Sequence, residues 1–191
     1  DDGTMEDFST VLGSTEGYAV KFSLQSSALK VKTVRIYGCY EGDGAGSRTF
    51  YLLFWDSALK SRQFYYASYS SCFNDKQYGW ANINVGPASL TVTGDFYIVI
   101  FPNSASGQNL WIGYDTSNPD GQSYIAQSTI YGNSIATISP PRDWMIRCTG
   151  ESAGSLGYLD HFDLDYHGSG GFDSPDGDDS HSLTVNPYPT R

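Results

Sequence analysis

The stretch DFYIVIF (residues 95–101) decides the fold. After Asp95 every residue is aromatic, β-branched or aliphatic. Seven residues are too few for a buried helix, and the turn signal PNSASG (102–107) closes the run. A run of this kind is a strand in the middle of a sheet. TFYLLFWD (49–56) is its equal in apolar character and reads as a second central strand.

Working outward, period-2 alternation recurs along the chain, and helical periodicity is nearly absent. It predicts strands at 18–24, 31–40, 49–56, 62–70, 80–85, 95–101, 109–114, 122–130 and 143–149. Turns rich in Gly, Asn, Asp and Ser separate them, including GDGAG (42–46) and SNPDG (117–121). Evenly spaced short strands, with no helix long enough to cross over, predict an all-β antiparallel sandwich, a jelly roll by strand count. The alternative is an immunoglobulin-like sandwich.

Composition agrees. The 191 residues include 15 Tyr, 10 Phe, 4 Trp and 21 Gly, a bias common in secreted β proteins. The net charge of −10 is uneven: residues 1–150 carry 13 acidic and 10 basic side chains, whereas residues 151–191 carry 8 acidic and one basic. This divides the chain into a nearly neutral sandwich domain, 1–150, and an acidic Gly/Asp-rich extension, 151–191, joined through ESAGSLG (151–157). Nucleic acid is excluded as a partner because there is no basic footprint. No run of 18 apolar residues could span a membrane as a helix. The chain opens at Asp1 without Met or a basic-apolar leader, and reads as a secreted form freed of its signal peptide.

In HFDLDYH (161–167) the same alternation puts Phe162, Leu164 and Tyr166 on one strand face and His161, Asp163, Asp165 and His167 on the other. A lone amphipathic strand needs a sheet edge and a dry groove, on its own sandwich or on a neighbour's. The N-terminal arm, with Phe8, Val11 and Leu12, is a second candidate donor.

Other constellations are weaker. The chain has no GxSxG, HExxH, P-loop or Rossmann fingerprint. Asp163 and Asp165 would lie about 6.5–7 Å apart on a strand face, a separation open to an inverting glycanase pair, but catalysis is a remote alternative. Calcium is the cofactor the composition points to. Its oxygen donors would be Asp173, Asp176, Asp178 and Asp179 in the tail and Asp1, Asp2 and Glu6 at the start. DTSNPD (115–120) reads first as an Asx-type turn. Cys148 alternates with Trp144 and Ile146 as a buried thiol. Cys39 and Cys72 are either one disulfide, within or between subunits, in an oxidising compartment, or two reduced thiols. Each Trp reads as core or rim packing, with at least one expected on the surface.

DDGTMED at the start, YAVKF (18–22), VRIYG (34–38), FWDS (54–57), GDFYIVI (94–100), WIGYDTS (111–117), GQSY (121–124) and DWMIR (143–147) come in an order that resembles β-sandwich modules of secreted and surface-attached bacterial and archaeal proteins. These modules often stand beside proteases, adhesins or repeat arrays. The resemblance covers residues 1–150 and implies an accessory or structural role, not a catalytic one. Three functions follow as expectations. The first is an extracellular structural subunit of a filament, sheath or adhesive layer, a homopolymer joined by strand addition through a terminal arm. The second is a carbohydrate-binding module with a glycan ligand. The third is the remote glycanase.

Overall fold

The computed structural model describes residues 4–10, 15–24, 28–88, 90–129, 132–153 and 162–163. Its strands are β1 (Asp7–Ser9), β2 (Glu16–Ser23), β3 (Leu29–Glu41), β4 (Thr49–Asp56), β5 (Ser61–Ser68), β6 (Gly79–Asn84), β7 (Thr91–Val92), β8 (Asp95–Pro102), β9 (Asn109–Asp115), β10 (Ser123–Thr129), β11 (Gly132–Thr137), β12 (Asp143–Trp144), β13 (Ile146–Ser152) and β14 (Phe162–Asp163). One short helix, α1 (Tyr69–Cys72), follows β5.

The strands form two antiparallel sheets packed face to face, an all-β sandwich. The six-stranded sheet runs β11-β10-β2-β8-β4-β5. The eight-stranded sheet runs β1-β9-β3-β13-β14, with β12 on β9 and with β6 and β7 on β3. Most connections between consecutive strands cross from one sheet to the other; β4–β5, β6–β7, β10–β11, β12–β13 and β13–β14 stay within a sheet. Eight of the nine expected strands are present as single strands, and the ninth, 143–149, is divided between β12 and β13. The three short strands β1, β7 and β11 add to them; each is too short or too polar to show alternation.

The core lies between the sheets. Phe96, Ile98 and Ile100 of β8 meet Leu29, Val31, Val34 and Ile36 of β3, with Phe22, Phe50, Leu52 and Phe54 around them. DFYIVIF is central as expected, between β2 and β4. It is also buried on its outer face, where Tyr97, Val99 and Phe101 join Ala19, Trp55 and Ala126 in a second cluster. That face is covered because the sheet coils until two diagonal corners meet. Asn133 on β11 donates from Nδ2 to the carbonyl of Leu59 in the β4–β5 turn (2.7 Å), and Leu59 and Ile135 pack over the cluster.

The stretch 143–149 is not one strand. Asp143 and Trp144 pair with β9, and the chain then bends at Met145. The Met145 amide donates to Gly113 (3.0 Å), its carbonyl accepts from Tyr37 (3.0 Å), and β13 continues along β3. Hydrogen bonding of the sandwich runs past Gly150 to Ala153, whose amide donates to Ala28 (2.7 Å).

Candidate functional site: an aromatic sheet face

Alternation fixes which side chains leave the core. On β9, Leu110 and Ile112 point inward, so Asn109 and Trp111 point out. On β3, Val34 and Ile36 point inward, so Arg35, Tyr37 and Cys39 point out. Cross-strand register then aligns Trp111 with Cys39, Trp80 with Tyr37, Phe8 with Gly113, and Arg147 with Arg35.

These neighbours make one aromatic face on the eight-stranded sheet. Phe8 is 39% exposed, stacks on Tyr78 (centroids 4.9 Å apart) and meets the edge of Trp111 (5.2 Å). Tyr37 meets Trp80 edge-on at 5.4 Å. A side chain on Gly113 would strike the Tyr37 ring at 2.9 Å and Met5 at 3.2 Å, so glycine lets Tyr37 and Met5 close over β9. Tyr78, Trp80 and Trp111 are half-buried. Burial raises the Tyr78 hydroxyl far above its ordinary range, and its hydrogen bond with Cys39 adds to this. Tyr78 is therefore a neutral phenol at every working pH.

Beneath this face the Trp111 indole Nε1–H and the Asn109 Oδ1 are buried and have no hydrogen-bond partner among the described residues. They lie two residues apart on one side of β9, and an unmet donor and acceptor of this kind cost stability. At the other end of the face, the guanidinium carbons of Arg35 and Arg147 stand 4.9 and 4.6 Å from the Trp80 ring centre. The other sheet exposes a smaller aromatic pair, Tyr51 (41%) and Tyr66 (53%), with centroids 5.1 Å apart.

The four tryptophans divide accordingly. Trp55 and Trp144 are buried, whereas Trp80 and Trp111 reach the surface of the aromatic face. Sequence alternation put Trp80 and Trp111 on strands, but could not say which strand face is solvated.

A carboxylate group lies at the end of β9. Asp115 and Asp143 are register neighbours, both buried. Asp115 accepts from the Ser117 amide (2.6 Å), the Asx turn expected for DTSNPD. The Asp120 amide donates to both Asp143 oxygens (3.3 and 3.2 Å). Burial, and then the nearby Asp120 charge, push the Asp143 carboxyl up to about 6. Among the described residues no group of three or more His, Cys, Asp or Glu is arranged to hold a metal ion. Glu6, one of the expected calcium donors, already uses Oε1 on the Thr4 hydroxyl (3.0 Å) and Oε2 on the Thr116 amide (2.8 Å).

Phe8, a candidate for strand donation, packs against Tyr78 and Trp111 of its own domain. Phe162 and Asp163 form β14 on the edge of β13. Val11, Leu12, Leu164, Asp165, Tyr166, Asp173, Asp176, Asp178, Asp179, Asp1 and Asp2 lie outside the described residues. All three cysteines are free thiols. Within the chain Cys39 and Cys72 are not bonded to each other, because the sheet separates them. Cys39 leaves β3 on the aromatic face beside Tyr78, whereas Cys72 of α1 packs against the inner core. Cys148 is buried in that core, as expected.

No family model and no curated protein matches the chain. Among solved structures, a clostridial cysteine protease, Cwp84 after propeptide cleavage, is similar at a TM-score of 0.49 and 14% identity. That likeness covers 73% of this chain and 36% of the protease chain, so the chain spans about a third of its neighbour's length. At this level the likeness carries no argument about activity.

Proposed function

We propose that this chain is a carbohydrate-binding module of a secreted protein, and that the ligand lies on the face built by Phe8, Tyr37, Tyr78, Trp80 and Trp111. One observation carries the reading: a row of aromatic rings, Phe8, Tyr78, Trp111, Tyr37 and Trp80, on an outward sheet face. Sugar rings present C–H faces that stack on aromatic rings, and hydroxyls that both donate and accept. Calcium, the expected cofactor, would take its oxygen donors from Asp173, Asp176, Asp178 and Asp179 of the tail and from Asp1 and Asp2 at the start.

Titration with a glycan panel tests this through tryptophan fluorescence. A binding glycan quenches the signal in the wild type, Phe8→Ala and Trp111→Ala weaken it at least tenfold, and Tyr66→Ala on the opposite sheet leaves it unchanged. Silence across the panel, or equal losses in Tyr66→Ala, rejects the proposal.

The second reading is a structural subunit of a surface assembly joined by strand addition. The support for it is that β13 accepts an added strand, Phe162–Asp163, along its edge. Particle size with calcium and with a chelator separates the two readings: a regular polymer favours the assembly, a stable monomer the binding module.

A further inference from the structure

The aromatic face runs from one edge of its sheet to the other. A single register row crosses it: Gly79 of β6 lies opposite Gly38 of β3, Gly38 opposite Ile112 of β9, and Ile112 opposite Ser9 of β1. Ile112 points to the core, and successive residues of a strand face opposite sides, so the positions flanking this row carry the outward side chains. Every one of the four strands places a ring there: Trp80 on β6, Tyr37 on β3, Trp111 on β9 and Phe8 on β1. Between β3 and β1 the strip has no notch, because Tyr37 and Met5 close over Gly113. Among the described residues neither β6 nor β1 has a further strand on its outer side, so the row begins and ends on edge strands. Three inter-strand steps of about 4.8 Å make it about 14 Å long.

We propose that the ligand of this face is the interior of a linear polysaccharide laid across the strands, not a single sugar and not a chain end. The inference rests on the reading of the face as a glycan-binding surface. A site that encloses one small molecule is concave and buries most of its surface. This face is an outward strip, so one sugar meets one or two rings, whereas a chain along the row meets a ring from each strand in turn. A site that selects a chain end needs a wall to stop the chain. Here a chain aligned with the row leaves the sheet past Trp80 on β6 at one side and past Phe8 on β1 at the other, and both of those strands are edges. The contacts are stacking contacts on C–H faces, which every sugar of a linear chain offers alike. The two end rings, Trp80 and Phe8, therefore set how many sugars are held.

The experiment uses the full chain and calorimetric titration with glycans of graded length, from monosaccharide to hexasaccharide. The probes are β-1,4-glucan, β-1,3-glucan, α-1,4-glucan and β-1,4-linked N-acetylglucosamine oligomers. In a series that binds, affinity should rise at least tenfold from disaccharide to tetrasaccharide and then level off. Reducing the terminal sugar of the hexasaccharide to its alditol should leave affinity unchanged. Trp80→Ala and Phe8→Ala, at opposite ends of the row, should each flatten the rise with length, and Tyr66→Ala on the other sheet should not. The length series on the wild type decides the matter even where a variant fails to fold. A monosaccharide that binds as tightly as its hexasaccharide, or binding lost on reduction to the alditol, overturns this inference and leaves the glycan-binding face standing. Silence in all four series rejects both.

Discussion

Replacing Asp143 by Asn tests the electrostatics of the β9–β12 end of the sandwich. The folded domain holds the Asp143 carboxyl at about 6, against 3.8 for an unperturbed group, chiefly through burial and secondly through the charge of Asp120. A raised carboxyl favours the protonated form in the folded state. Its contribution is therefore fully present below about pH 4 and is lost as pH rises through 6. The difference of about two pKa units corresponds to roughly 3 kcal/mol at neutral pH. Asparagine keeps an oxygen to accept the Asp120 amide and removes the charge, so it recovers most of that amount. For a domain of this size roughly 3 kcal/mol corresponds to a melting temperature higher by about 6–12 °C. The assay is calorimetric or circular-dichroism melting of both proteins in chelator from pH 4 to pH 8. The gain should be large at pH 8 and shrink toward zero near pH 4. A difference that does not vary with pH, or a variant less stable than wild type at pH 8, would refute the reasoning. If calcium stabilises the wild type and not the variant, the charge has a cation to meet it.

Three further outcomes follow from particular contacts. Asn133→Ala removes the bond that ties the diagonal corners of the six-stranded sheet, and should cost about 1–2 kcal/mol while speeding amide exchange around Val99, read by unfolding and mass spectrometry. Gly42→Ala puts a Cβ inside the Gly107 carbonyl at a φ of +116°, so soluble yield should collapse, whereas Gly79→Ala, with open space at its Cβ, should be tolerated in the same expression assay. Asp56 accepts from the Lys60 and Ala58 amides and pairs with Arg62, which lowers its carboxyl; wild-type stability should therefore fall as pH drops below about 4, and Asp56→Asn should flatten that part of the acid profile.

The sequence by itself determined the strands and their parity. DFYIVIF and TFYLLFWD are central, and the side chains of β3 and β9 divide into inward and outward sets, because a pleated strand turns successive residues to opposite sides. Only the tertiary structure decided what lies above each side. Alternation cannot tell that the six-stranded sheet coils until Asn133 reaches Leu59 and buries Trp55, or that the outward side of β3 and β9 remains half-open around Trp111. Nor can it tell that the chain turns at Met145, or that a sheet stands between Cys39 and Cys72. Those outcomes depend on contacts between residues far apart in sequence, and local periodicity carries no record of them.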